Sequence, residues 1–303
     1  MITRDITQFL TFARACAADF GPATARGAFL VAPDGFRLAE QSAADNRYMA
    51  QADGFDAARA STQHRELHRA FARALPTVCF AGDPATPDAV FPNNVFATAP
   101  GRAIVGRMRH PVRQREARRE DIRAFFTTVL GYEPRDLSQQ PHACELTGAL
   151  VIDRARGLGF AGLSERCDEE GARLMHGAFG LRATLMFDLA PGEYHTNVVL
   201  AVLAGRAALI CPAGFADAGA VDAIEALYAP HGIRLGPDEH AAFAGNAIAL
   251  TPDRVWMSAG AAAALTPVTR AALEAAGFAV ESVELDAIEA AGGSLRCCVG
   301  EIY

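Results

Sequence analysis

The stretch EYHTNVVLAV, residues 193–202, sets a histidine, His195, at the head of an apolar, β-rich run. Four other places repeat that arrangement: Asn94 in FPNNVF, Glu145 in CELTG, Asn246 in FAGNAI and Cys297 in LRCC. From Asn94 the marks fall at 145, 195, 246 and 297, separations of 51, 50, 51 and 51 residues. A period of this size belongs to folds in which one supersecondary unit repeats. Marks picked from many polar residues can imitate a period, and the flanking sequences share little. The chemistry argues for the repeat, because a thiol, an imidazole, a carboxylate and two amides brought together would compose a site for nucleophilic catalysis.

Outward from these marks, β-rich runs at 28–32, 102–106, 148–153, 196–202 and 207–211 alternate with helical patterns at 62–75, 112–130, 168–178, 217–229 and 267–276. That alternation predicts an α/β fold with parallel or mixed sheets. The longest apolar stretch, Val198 to Ala213, is broken by Gly205-Arg206 and Pro212, which predicts a hairpin rather than a membrane span. No linker divides the chain, so a single domain over residues 1–303 is expected.

Composition narrows the function classes. Apolar residues make up 51% and charged residues 21%, the balance of a soluble globular protein with a large core. The net charge is -7 and all 28 basic residues other than histidine are arginine, so no lysine-rich surface suggests a nucleic-acid partner. The basic run from Arg107 to Arg119, interrupted by Glu116, reads first as a solvated helix face. Seven cysteines without a regular framework fit reduced thiols, and the N-terminal MITRDITQFLTFARAC has no signal-peptide pattern. A cytoplasmic protein without membrane contact is expected, and the subunit number, including a homo-oligomer, stays open.

A cysteine attacks carbon as thiolate, which needs a base or positive surroundings and access for the substrate. Gly292 and Gly293 permit a tight loop ahead of Cys297, and Arg296 is a nearby cation, although strand alternation would point it away. The same alternation turns Cys298 to the opposite face. Bulk statistics favour a buried filler role for any one free cysteine, and a core role for a histidine remains open. His195 can nevertheless serve as acid and base near neutral pH. Glu145 interrupts the apolar run HACELTGALVID, where a carboxylate is costly without a partner. His64 and His68 are four apart in HRELH, but Glu66 is misplaced for an HExxH zinc site, so a solvated helix face is expected and no metal. A phosphate-binding P-loop requires a lysine that the chain lacks, and no cofactor is expected.

PDAVFPNNVFAT (87–98), HPVRQRE (110–116), ELTGALVIDR (145–154), LSERCD (163–168), EYHTNVVLAV (193–202), FAGNAIAL (243–250) and GGSLRCCVGEIY (292–303) together resemble the guanidino-group modifying superfamily. It includes arginine deiminases, dimethylarginine hydrolases and amidinotransferases, and the chain most resembles a bacterial amidinotransferase-like branch similar to citrulline-utilization hydrolases. The resemblance implies a pentein-like, five-bladed pseudo-symmetric β/α propeller with the site on its axis. It implies Cys297 as nucleophile, His195 as general acid and base, and Glu145 as the carboxylate that orients His195 and grips a substrate nitrogen. Arg113 and Arg166 match arginines that hold a substrate α-carboxylate, and Asp88 and Phe91 match pocket residues. Where deiminases place two carboxylates around the guanidinium, this chain has Asn94 and Asn197. Neutral amides both donate and accept, which suits a ureido group and a small amino-acid substrate such as citrulline. Arginine, or a methylated arginine, is the alternative.

Overall fold

The structure, a computed structural model, describes residues 1–38, 40–49 and 55–303. Among these residues the strands form five sheets built on one plan. Two strands pair antiparallel, as a hairpin in four of the sheets and between the two ends of the chain in the fifth, helical segments follow, and a third strand returns parallel to the second. The first unit joins Phe96–Ala99, Arg102–Val105 and Glu133–Asp136. The second joins Leu150–Asp153, Leu158–Leu163 and Ala183–Asp188, with Ile2–Thr3 added parallel at its edge. The third joins Leu200–Leu203, Ala207–Ile210 and Gly232–Arg234, so the expected hairpin within 198–213 forms. The fourth joins Ile248–Thr251, Arg254–Ser258 and Ala279–Val283. In the fifth, Gly300–Ile302 pairs with Gly27–Val31, which pairs with Thr77–Phe80.

The first strand of each unit packs beside its neighbour's: Leu200–Leu203 touches both Leu150–Asp153 and Ile248–Thr251, and Gly300–Ile302 touches Phe96–Ala99. Hydrogen bonds stitch consecutive units together. Thr147 Oγ1 donates to Asn93 O (3.1 Å), Thr196 Oγ1 to Ala149 O (2.6 Å), and Asn246 Nδ2 to Asn197 O (2.8 Å). Arg296 N donates to Asn246 Oδ1 (3.0 Å), and Thr98 Oγ1 donates to Glu301 O (2.9 Å). Each bond satisfies a polar group that the packing has removed from water, where an unpaired one would cost about 1–3 kcal/mol.

Helices Ala57–Ala74, Glu169–Phe179, Ala218–Leu227 and Pro267–Ala275 cover the outside. Asp56, Asp168, Asp217 and Thr266 begin them as N-caps, each accepting a bond from a main-chain N–H in the first turn. These match four of the expected helices within a few residues.

The fifth differs. In place of one helix over 112–130 there are Pro111–Gln114, a 3-10 turn Glu116–Arg118, Glu120–Ala124 and a π-helical turn Phe125–Val129. The break turns Arg113 and Glu116 inward, where both are buried, so the Arg107–Arg119 run is not a solvated face. His64 is likewise buried, on the same helix face as Leu67 and Phe71, and burial pushes its pKa down to about 4. Amphipathic helix packing, rather than solvation, sets its place. Among the described residues no group of three or more His, Cys, Asp or Glu side chains could hold a metal ion, and no helix is long and apolar enough to cross a membrane. GLGFAG at 157–162 has the spacing of a dinucleotide loop, but it is largely the strand Leu158–Leu163 rather than a strand-to-helix turn. There Gly159 and Gly162 make room for the hydroxyls of Thr184 and Thr196.

Candidate active site

All five periodic residues lie in the turn that leads into the first strand of a unit. Sequence alternation anticipates strand starts at 148 and 196; instead Leu146–Ala149 and Thr196–Val199 are single helical turns, and Leu295–Cys298 is a 3-10 turn. The turns let the units approach closely at this end. At Gly148 a Cβ atom would lie 2.4 Å from Asn94 Oδ1 and 2.8 Å from His195 Cε1, so only glycine fits between them. Cys297 and Cys298 are both buried, but only Cys297 lines the cleft described below, and Cys298 Sγ donates to Ser294 O. The Arg296 guanidinium does point away from Cys297, pairing with Glu301 at 2.9 Å and bonding Val299 O.

His195 Nε2 lies 2.8 Å from Glu145 Oε2. Arg166 Nη1 approaches the same oxygen at 3.3 Å, and Arg109 N donates to Oε1 at 2.9 Å. Burial works to raise the Glu145 pKa, but Arg166, His195 and Arg113 together hold it well below the usual carboxylate range. Burial also lowers the pKa of His195, against the pull of Glu145. The resting pair is a carboxylate accepting from a neutral imidazole, whose Nδ1 has no partner among the described residues. That free nitrogen is the lone pair a general base requires.

Cys297 is 2% exposed, and burial pushes its thiol pKa up. Asn246 Nδ2 reaches Sγ at 3.3 Å, and the Asn197 amide lies 3.8 Å away. The sulfur opens onto a cleft of ≈ 330 Å³ shared with Asp88, Phe91, Asn94, Arg113, Arg166 and His195. Seven of the nine residues singled out in the sequence therefore meet at one cleft. Glu145 is fully buried behind His195, its Oε2 engaged by His195 and Arg166 and its Oε1 by Arg109 N. Asn197 sits behind the sulfur.

The arginines are deeply anchored. Arg113 binds Glu116 through Nε (2.8 Å) and Nη2 (2.9 Å) and the carbonyls of Asp88 and Phe91, while Nη1 has no partner among the described residues. Arg166 is held by Asp45, Glu145 and Ser42 O. Sequence reasoning missed Ser42 and Asn46, which line the cleft, and Asp45, which holds Arg166. Ser42 donates to Asp88 Oδ2 (2.6 Å), and Asn46 donates to Gly292 O (3.1 Å). They belong to no repeat, so no periodic signal marks them. Asn246 carried the signal without a role.

Fold and site place the chain in the pentein superfamily of guanidino-modifying enzymes, as a hydrolase of carbon–nitrogen bonds other than peptide bonds. Within that class it belongs to the family described as N,N dimethylarginine dimethylhydrolase, eukaryotic, which matches residues 32–303. Among solved structures it is similar to the N-terminal domain of ArgZ, an arginine dihydrolase of the ornithine-ammonia cycle in Cyanobacteria. That likeness has 21% identity and a TM-score of 0.78, covering 91% of this chain and 97% of that one. Unliganded AgrE gives 20% identity and a TM-score of 0.80 over 92% of this chain and 40% of its own. A dimethylarginine dimethylaminohydrolase in adduct with S-methyl-L-thiocitrulline gives 22% and 0.72, over 92% and 100%. At these identities the likeness shows the fold. A search of curated proteins returned no match.

Proposed function

We propose that this chain, as one catalytic domain in a five-bladed propeller, hydrolyses a ureido amino acid, citrulline in preference to arginine, through a covalent Cys297 intermediate. The observation that carries the preference is the charge around the cleft. Asn94 offers an amide oxygen without a partner among the described residues, and Glu145 is already engaged by Arg166 and His195. A guanidinium would meet no spare carboxylate at the reacting end. Asp88 and the open Nη1 of Arg113 suit the ammonium and carboxylate of an amino acid, with Phe91 lining the path.

In this reading His195 Nδ1 takes the Cys297 proton, and the thiolate attacks the ureido carbon. The bond to the δ-nitrogen breaks, and that nitrogen takes the proton from His195 and leaves as the amine of ornithine. Carbamoyl-Cys297 remains. Water deprotonated by His195 then attacks the same carbon and releases carbamate, which decomposes to ammonia and carbon dioxide. Glu145 keeps the imidazole oriented and balances its charge while protonated.

A second reading has support from the fold shared with ArgZ and AgrE: arginine is first deiminated at Cys297 and the citrulline so formed is cleaved. The family match adds dimethylarginine as a third candidate. Assaying ornithine, ammonia and dimethylamine from citrulline, arginine and dimethylarginine separates them. Rapid turnover of arginine or dimethylarginine with citrulline inert would overturn the ureido preference.

A further inference from the structure

We infer that Asn246 is a catalytic residue: its amide N–H is the group that stabilises the Cys297 thiolate. The amide orientation is fixed by its other bonds. Oδ1 accepts from Arg296 N at 3.0 Å, so Nδ2 faces the opposite way, donating to Asn197 O at 2.8 Å and reaching Cys297 Sγ at 3.3 Å. An NH2 group has two protons and no acceptor capacity. With one proton on Asn197 O, the other is directed at sulfur, where it favours the charged form over the neutral thiol.

The other influences that favour the thiolate are weaker. The neighbouring cation, Arg296, is turned away and paired with Glu301. The turn carrying Cys297 is a single 3-10 turn of four residues, too short to supply a helix dipole. His195 gives its Nε2 side to Glu145. A main-chain hydrogen bond from Ser294 also favours the thiolate, and the Asn197 amide contact is longer at 3.8 Å. Asn246 thus opposes the desolvation of a buried nucleophile and, through Oδ1, also fixes the turn that presents it.

This inference rests on Cys297 being the nucleophile, but its test needs no substrate. Asn246→Asp separates the two roles, since a carboxylate oxygen can keep the bond from Arg296 N while the sulfur loses its donor and gains a negative neighbour. Asn246→Ala removes both contacts. The rate of iodoacetamide alkylation at Cys297, resolved from Cys298 by peptide mass spectrometry, is measured against pH for each variant. The expected result is an upward shift of the alkylation midpoint by at least about one unit in both variants, roughly tenfold slower alkylation at neutral pH. In turnover assays kcat should fall by a similar or larger factor with KM changed less than about threefold. If Asn246→Asp folds with an unchanged melting temperature and an unchanged alkylation midpoint, the inference is overturned. A kcat loss without a midpoint shift in either variant overturns it equally, since that is the signature of a purely structural anchor. Failure of every candidate substrate, with the midpoint shifted, would overturn the substrate reading and leave Asn246 standing.

Discussion

His195 Nε2 and Glu145 Oε2 stand 2.8 Å apart, with both side chains buried and the opposite ring nitrogen without a partner among the described residues. The pair settles the tautomer. A proton on Nε2 faces the carboxylate, and the lone pair of Nδ1 is left for chemistry. Replacing Glu145 by Gln keeps the shape and removes the charge that steadies a protonated His195. Steady-state kinetics should show kcat lowered by about 10²- to 10⁴-fold with KM changed little. Denaturant titration should show a loss of about 3 kcal/mol, because Arg166 loses a buried counter-charge. A variant with wild-type kcat would contradict the assigned role.

Acid should weaken the fold in two stages. The His195 pKa is lowered below its ordinary 6.5, so the unfolded chain binds that proton more readily and stability falls as pH drops below about 6.5. The Glu145 pKa is depressed below its ordinary 4.5, so its contribution is complete above that value and is lost as pH falls further toward the folded pKa. Thermal melts across pH 3 to 8 read both stages. His64, whose pKa burial pushes down to about 4, adds to the upper stage, so the His195→Gln variant should shrink that stage without abolishing it, and an unchanged upper stage would sink the share assigned to His195.

Much of this site was legible in the chain because a repeating unit leaves a period, and the period survives where sequence similarity does not. Asn94, Glu145, His195, Asn246 and Cys297 all carried it. The inward turn of Arg113 was legible only through the family resemblance, because surface-like spacing gives no sign that Glu116 and two carbonyls await the guanidinium. The part played by Ser42, Asp45 and Asn46 was hidden for another reason: a loop that owes its place to contacts with distant units has no pattern of its own. The helical turns ahead of the strands also escaped, since four residues are too few to show a 3.6-residue period.

Substrate charge preference should respond to a single atom exchange. Asn94→Asp adds a carboxylate to the cleft wall beside His195. The ratio of kcat/KM for arginine over citrulline should rise roughly tenfold to a hundredfold. A ratio that stays level or falls would show that Asn94 does not face the reacting group.

Arg113→Lys keeps a positive charge near Glu116 but loses the planar fork that leaves Nη1 open to the cleft. The KM for citrulline should rise about tenfold while kcat falls by less, and a neutral analogue lacking the α-carboxylate should show no such rise. Equal effects on both compounds would argue that Arg113 acts through packing alone.

The central claim is covalent catalysis at Cys297. Its most direct measurement is mass spectrometry of the unaltered protein, quenched in acid within the first turnovers so that the intermediate is trapped before its hydrolysis. Citrulline is predicted to leave a carbamoyl group on the peptide carrying Cys297, absent from Cys297→Ser protein. Full citrulline turnover by Cys297→Ser, or an adduct confined to another residue, would contradict the account.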